Sequence, residues 1–344
     1  MARLISPRAL LELLRTGDAR ARWRAAQDGQ AALRLQVVSA ALDTGVLDEL
    51  ARAPAGTAEL ARRTGVTEPA LLEAFLRVAA VVRLVDGDGA GWRLGRAGRA
   101  VVGDDLVRAS YQGFGGFHTD LYRGLRAVLA GGTRRRDVAE RGEVIARMSA
   151  GFDVFVHDLL VRTVAERRPR RVLDVGCGAG LQLAGMLEAA PAASGVGVDV
   201  DAEAAALAAR TLRERGLADR ATVEAVDVRT ALATGPAGAL AEPFDLALLA
   251  NVVYYLPPAE RVPLLRAVAG LLAPGGTLLV VTTAAAPQLF SRHMDLLLRA
   301  QDGDMQLPDA DSLVRQLAEA GLDPQPPRSL VPGTPLIAVS ATRG

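Results

Sequence analysis

One stretch of this chain leaves little freedom to the fold around it: Val172-Leu173-Asp174-Val175-Gly176-Cys177-Gly178-Ala179-Gly180, running on into Leu181-Gln182-Leu183-Ala184. A short strand of buried character ends in glycines at alternate positions and then in a helical start. Glycine lets the backbone turn sharply and lets a ligand come close without meeting a Cβ. Strand, glycine turn and helix in succession open a doubly wound α/β sheet, whose ligands bind outside the carboxyl ends of the strands.

The C-terminal half agrees. Runs with β character at Arg171–Val175, Gly195–Val200, Ala221–Ala225, Phe244–Leu249, Thr277–Thr282 and Pro335–Ala341 alternate with helical stretches. Upstream the pattern is mainly helical. Gln30 to Leu42 carries a 3.6-period stripe of Leu33, Leu35, Val37, Val38 and Leu42. Thr57 is placed to cap a short helix that Gly65 ends, and Pro69 opens the next, with a buried face of Leu71, Leu72, Phe75, Leu76, Val78 and Ala79. Leu84 to Gly89 and Trp92 to Leu94 read as strand, tight turn and strand. Helix, turn, helix and β-wing make a winged helix-turn-helix. Three zones are expected: residues 1–102, a mainly α winged-helix domain; 103–167, linking helices; and 168–344, the α/β domain.

The chemistry of the glycine loop turns on acids. Asp174 interrupts an otherwise apolar strand, and a buried carboxylate is costly unless something positive pairs with it. The next strand ends in Asp199, about twenty residues on, a spacing at which an acid accepts hydrogen bonds from both ribose hydroxyls. Asp227, after the third strand, is positioned for an exocyclic adenine amine. A dinucleotide site is the nearest rival. Its third glycine would fall where Leu181 stands, and an anionic Asp174 would repel a pyrophosphate while suiting a cationic cofactor.

From about Arg167 to Gly344 the sequence resembles the class I S-adenosylmethionine-dependent methyltransferases, whose sheet is Rossmann-like and seven-stranded. Gly176, Cys177, Gly178 and Gly180 resemble their glycine motif, Asp199 with Val200 their ribose acid, and Asp227-Val228 their adenine-edge pair. Phe244 to Leu256, including Asn251, resembles the fourth-strand motif, and Leu271 to Val280 the turn into strand five. With the winged helix in front, the whole chain resembles small-molecule O-methyltransferases of plants and bacterial natural-product pathways. The resemblance implies S-adenosylmethionine as cofactor, a small-molecule acceptor, a homodimer formed through the N-terminal domain, and a roof over the acceptor made by the middle helices.

On the acceptor side the chain departs from that pattern. The plant-like enzymes carry a general-base histidine just after strand four, where this chain has Tyr254. A tyrosine with an ordinary pKa near ~10 is a poor base at neutral pH, though it can orient an acceptor. His118, amid Tyr111, Phe114, Phe117 and Tyr122, and His293, in the insertion after strand five, are the remaining candidates; His157 reads as structural. With the usual base missing, nitrogen and carbon acceptors stay open beside oxygen, as does a regulatory protein that binds the cofactor without transfer.

Composition closes off other classes. Net charge is +1, and all 40 basic residues are arginine, so no lysine nucleophile or Schiff base exists. The helix Glu68–Val81 offers Arg77 against Glu68 and Glu73, and the wing turn holds Asp86 and Asp88, which argues against DNA binding. Three scattered histidines and a lone Cys177 make neither a metal site nor a disulfide framework. The leucines at 10, 11, 13 and 14 are interrupted by Glu12 and lack a signal-peptide pattern, and the longest apolar run, Leu246 to Leu256, is too short for a bilayer. A cytoplasmic chain without membrane contact is expected.

Overall fold

The computed structural model describes residues 6, 8, 11–12, 15–88, 90–233, 235 and 237–344; Leu10, Leu13, Leu14 and the turn residue Gly89 lie outside them. The chain divides into two compact units, one of Met1–Arg126 with Arg141–Met148, the other of Ala127–Glu140 with Ser149–Gly344.

In the first unit, helix α1 (Ala19–Asp43) starts where the Asp18 carboxylate accepts from the amides of Arg20 and Ala21. Helices α2 (Val46–Arg52), α3 (Thr57–Thr64) and α4 (Pro69–Val81) follow, then an antiparallel hairpin of β1 (Val85–Asp88) and β2 (Gly91–Leu94). Val38, Leu47, Leu60, Leu76, Leu84 and Trp92 form their common core. Gly65 ends α3 in the left-handed region, at φ 71°, and Pro69 opens α4, as the sequence indicated. Thr57 differs: Gly56 holds the cap position, and Thr57 is the first helical residue. Its hydroxyl is engaged elsewhere, donating to Glu73 and accepting from Trp92 Nε1 at 3.0 Å, so it ties α3 to α4 and the hairpin. Helices α5 (Arg96–Gly103), α6 (Asp105–Gly115) and α7 (Phe117–Leu129) come next; the short α8 (Asp137–Glu140) belongs to the second unit, and α9 (Gly142–Ser149) lies in the first as far as Met148. Gly113 and Gly115 of α6 sit where a Cβ would collide with Met148 and Ser39, so these glycines serve close helix packing.

The second unit is a doubly wound sheet. After α10 (Asp153–Arg167) come β3 (Arg171–Val175), α11 (Leu181–Ala189), β4 (Ser194–Asp199), α12 (Ala202–Glu214), β5 (Ala221–Ala225), α13 (Val228–Ala233), β6 (Phe244–Ala250), α14 (Pro258–Leu271) and β7 (Leu272–Thr283). The chain closes with α15 (Leu289–Arg299), α16 (Ala310–Glu319), β8 (Leu322–Pro324), β9 (Arg328–Ser329) and β10 (Leu336–Arg343). The strands lie in the order β5-β4-β3-β6-β7-β10-β8, with β9 paired to β10. β5 through β7 run parallel, and β10 is antiparallel to both neighbours. Alternate residues serve opposite faces. Val172, Leu246 and Leu248 pack with Leu160 of α10 and Leu183 of α11, while Leu173, Ala247 and Leu249 pack with Leu265 of α14 and Leu317 of α16. The strand order reverses between β3 and β6, so a crevice opens beyond their carboxyl ends at the glycine loop.

Among the described residues no helix is long and apolar enough to cross a membrane, and no group of three or more His, Cys, Asp or Glu is placed to hold a metal ion.

Candidate functional site

The loop from β3 to α11 is pinned to β4 by its own backbone. The amides of Gly176 and Cys177 both donate to the Val198 carbonyl, at 2.8 and 3.1 Å, and that of Gly178 donates to Asp199 Oδ2 at 2.9 Å. Gly176, Gly178 and Gly180 all take positive φ, at 73°, 52° and 75°. Two of them also answer to packing: a Cβ at Gly176 would stand 2.5 Å from Val252 Cγ2, and one at Gly180 would stand 3.0 Å from Ala208. Gly178 is different, because a Cβ there would meet nothing within 4 Å. The Cys177 thiol lies against Gly197, where an added Cβ would be 3.1 Å from Sγ. Burial and the nearby Asp174 and Asp199 push that thiol up to about 12, so it is an inert space-filler whose backbone helps build the loop.

Beneath the loop, Asp174 on β3 is 1% exposed. The Leu183 backbone favours its charged form, yet Oδ2 has no hydrogen-bond partner. Burial, with a smaller push from Asp199, raises the carboxyl to about 7. Asp199 ends β4 and is oriented by two amides, Gly178 on Oδ2 and Asp201 on Oδ1 at 3.0 Å. Each of its oxygens keeps a lone pair for a further donor. Val200 is exposed beside it.

Asp227 follows β5 with Val228 buried in the core beside it. Its carboxylate is gripped by Arg229, whose Nε and Nη2 reach Oδ2 at 3.1 and 2.6 Å, and the same guanidinium holds Glu260 in the first turn of α14. That grip keeps the Asp227 carboxyl below the usual range. Asn251 follows β6 with φ at 58°, and its amide donates to the Val281 carbonyl at 2.8 Å. The structure therefore brings Asp174, the glycines, Asp199, Asp227 and Asn251 to the carboxyl ends of β3, β4, β5 and β6. Sequence reasoning missed Arg229 and the contact of Asp153 Oδ1 with Gln182 Nε2 at 3.1 Å in the first turn of α11. The Asp-x-Arg spacing at 227–229 was visible; the bond to Glu260, 31 residues on, was not.

On the acceptor side, Tyr254 lies in the turn Val253–Tyr255 after β6 and is 7% exposed. Its ring meets Tyr255 edge to face, with centroids 4.6 Å apart, and packs with Leu298, Leu307 and, on α15, Met294. Burial raises its hydroxyl well above the ordinary tyrosine value, the wrong direction for a base. His293, next to Met294 on α15, is half-buried, and burial lowers its pKa, which favours the neutral imidazole. His118 belongs to the first unit, where it is 5% exposed with its ring 4.8 Å from Phe114 and 4.4 Å from Phe117. His157 on α10 faces Gly185 of α11, a packing contact.

A family profile described as Methyltransferase domain matches residues 148–325, just over half of the chain. No curated protein sequence matches. Among solved structures, the mitomycin 7-O-methyltransferase MmcR is 21% identical, with 95% of this chain and 98% of that one covered and a TM-score of 0.73. The N,N-8-amino-8-demethyl-D-riboflavin dimethyltransferase RosA from Streptomyces davawensis is 22% identical, covering 95% and 100%, with a TM-score of 0.68. Human N-acetylserotonin methyltransferase, solved in complex with S-adenosylmethionine, is 18% identical, covering 95% and 99%, with a TM-score of 0.65. At these identities the likeness is one of fold. S-adenosylmethionine suits the residues present: it carries an ammonium and a sulfonium, and the site offers a buried acid with an unpartnered oxygen and a loop glycine at which a Cβ would meet nothing. The chain belongs to the methyltransferase-domain family, as an enzyme that uses S-adenosylmethionine.

Proposed function

We propose that the chain methylates a small natural-product-like acceptor, in the first instance at oxygen. The observation that carries the site assignment is Asp174, a buried acid with an unpartnered oxygen on the strand that runs into the glycine loop. When bound, the cofactor supplies a methyl group activated on a sulfonium. Asp174 and the backbone of Gly176, Cys177, Gly178 and Gly180 receive its cationic end. Asp199, with Val200, takes the ribose hydroxyls; Asp227 and Val228 take the adenine edge; Asn251 lines the same end of the sheet.

The acceptor must be held with its attacking atom about 3–3.5 Å from the methyl carbon and shielded from water. Tyr254 and His293 are the second unit's candidates for that work. Tyr254, neutral and hydrogen-bonded with Tyr255, orients; His293, kept neutral by burial, is able to accept a proton. His118, in the first unit among aromatic rings, is the remaining candidate, and His118→Ala should lower turnover with cofactor affinity unchanged if it touches the acceptor. The first unit reads as a winged-helix domain that pairs two copies of the chain, and the lone Cys177 suits a reducing cytosol.

A nitrogen acceptor is the second reading, favoured by the likeness in fold to RosA, whose name describes a dimethyltransferase of an amino-riboflavin. The test is to incubate the full chain with methyl-labelled S-adenosylmethionine and a panel of phenols, enols, amines and carboxylic acids, then locate the label. Label on oxygen is expected; label on nitrogen or carbon alone would overturn the oxygen assignment.

A further inference from the structure

Asp174 is a potential charge in an interior that offers it no counter-charge. Each element packed around it brings either an acid or nothing ionisable. β4 brings Asp199, the only charged neighbour that bears on Asp174 among the described residues. The loop brings the Cys177 thiol, which burial and both acids keep in its neutral form. α11 brings the Leu183 backbone, while Gln182 beside it is bonded to Asp153 of α10. β6 sets the apolar Leu248 in register with Asp174. With one carboxyl oxygen unpartnered and a second acid nearby, the ionised form lacks both solvent and cation, and a group in that position takes up a proton instead.

We infer that this site exchanges a proton for a positive charge: Asp174 holds a proton while the site is empty and gives it up to solvent as the ammonium of the ligand arrives. This rests on the cofactor reading given above. The carboxyl O–H bond breaks with its electron pair left on oxygen, the proton passes to buffer, and the new carboxylate pairs with the incoming cation. One positive charge leaves as one enters, so the interior never carries two bare acids. Affinity for a ligand bearing an ammonium then falls about tenfold for each pH unit below neutrality and levels off above it. A desamino analogue, with no ammonium, releases no proton.

The test is titration calorimetry of the full chain with S-adenosylhomocysteine, which keeps the ammonium, in phosphate and in imidazole, whose ionisation heats differ. At about pH 6 close to one proton should be released per ligand, and at about pH 8 close to none. Asp174→Asn should remove both the release and the pH slope; because the ligand's own amine titrates alike with both proteins, the difference between them belongs to Asp174. Binding by the wild type with equal heats in the two buffers at the lower pH overturns the inference while leaving the cofactor reading intact. Failure to bind at any pH would sink both. Should Asp174→Asn not bind, unfolding of the ligand-free chains decides. Because the folded-state pKa is raised, the wild type must lose stability against the variant as pH rises from about 4 to about 7, then level off. A difference independent of pH overturns the inference.

Discussion

A methyl group added at Gly176, Gly178 or Gly180 would meet three different surroundings, although the three residues share a positive φ. At Gly176 it runs into Val252, at Gly180 into Ala208, and at Gly178 into open space. The left-handed backbone costs an alanine roughly 1–2 kcal/mol at any of the three. Overpacking adds about 1–3 kcal/mol where a neighbour must move. Gly178→Ala is therefore expected to stay folded with a small fall in Tm and to lose tenfold or more in cofactor affinity. Gly176→Ala is expected to lose most of its effect through stability, with a larger fall in Tm. Thermal unfolding alongside cofactor titration separates the two; unchanged affinity in Gly178→Ala would show that the open space is not where the cofactor lies. Arg229 poses the opposite problem, a residue that saturates a proposed cofactor ligand. It occupies both Asp227 oxygens and Glu260, so Asp227 can take an adenine amine only by sharing a lone pair or loosening that grip. Arg229→Ala frees the carboxylate but also its rotamer. A weaker cofactor Kd in the variant would make Arg229 a positioning residue, and a tighter one would make it a competitor.

At the scale of elements, the first unit's α3, α4 and hairpin meet at one hydroxyl. Trp92 is buried, and its Nε1 has Thr57 as acceptor, while Thr57 in turn donates to Glu73. Thr57→Val keeps the shape but removes the hydroxyl that bonds both Trp92 and Glu73, leaving the buried indole N–H the Glu73 carboxylate alone as partner, at a cost of about 1 kcal/mol. Chemical denaturation followed by tryptophan fluorescence should register that loss with cofactor affinity unchanged, since Thr57 belongs to the other unit from the glycine loop. Thr57 also marks a limit of legibility. A threonine before a helical run reads as a cap, because a cap is a local bond; its actual partners stand 16 and 35 residues away and leave no trace in spacing. The same division runs through the sheet. β3 and β5 begin and end where the runs with β character do, and an acid inside the apolar run of β3 pointed to the site because burial makes it costly. β7 starts at Leu272, five residues before the run at Thr277, because Gly275 at φ 78° and an irregular register opposite Phe244–Leu246 carry the strand through what reads as a turn. β8 and β9, three and two residues long, hold Asp323, Pro324 and Arg328; they exist only because β10 lies beside them. What is local or periodic was readable, and what depends on a distant partner was not.

At the scale of the whole molecule, α1 leaves large apolar side chains uncovered in a single copy of the chain. It is 25 residues long, yet its buried residues are Val38, Ser39, Ala41 and Leu42, all near its C-terminal end. Trp23 and Leu33 stand 66% and 68% exposed on the remainder. Most helical stability in proteins comes from packing an apolar face, and burying each such side chain contributes roughly 1.5–3 kcal/mol. A second copy of α1, related by a two-fold axis, would cover these residues on both chains at once, which is the economy of an isologous interface. The expectation is a dimer in solution whose Tm rises with protein concentration, because association stabilises the folded state by mass action. Replacing both residues, Trp23→Arg and Leu33→Arg, should give a monomer by light scattering and abolish the concentration dependence, with the glycine loop of the second unit still binding cofactor. A wild-type chain that stays monomeric at high micromolar concentration would remove α1 as the dimer arm.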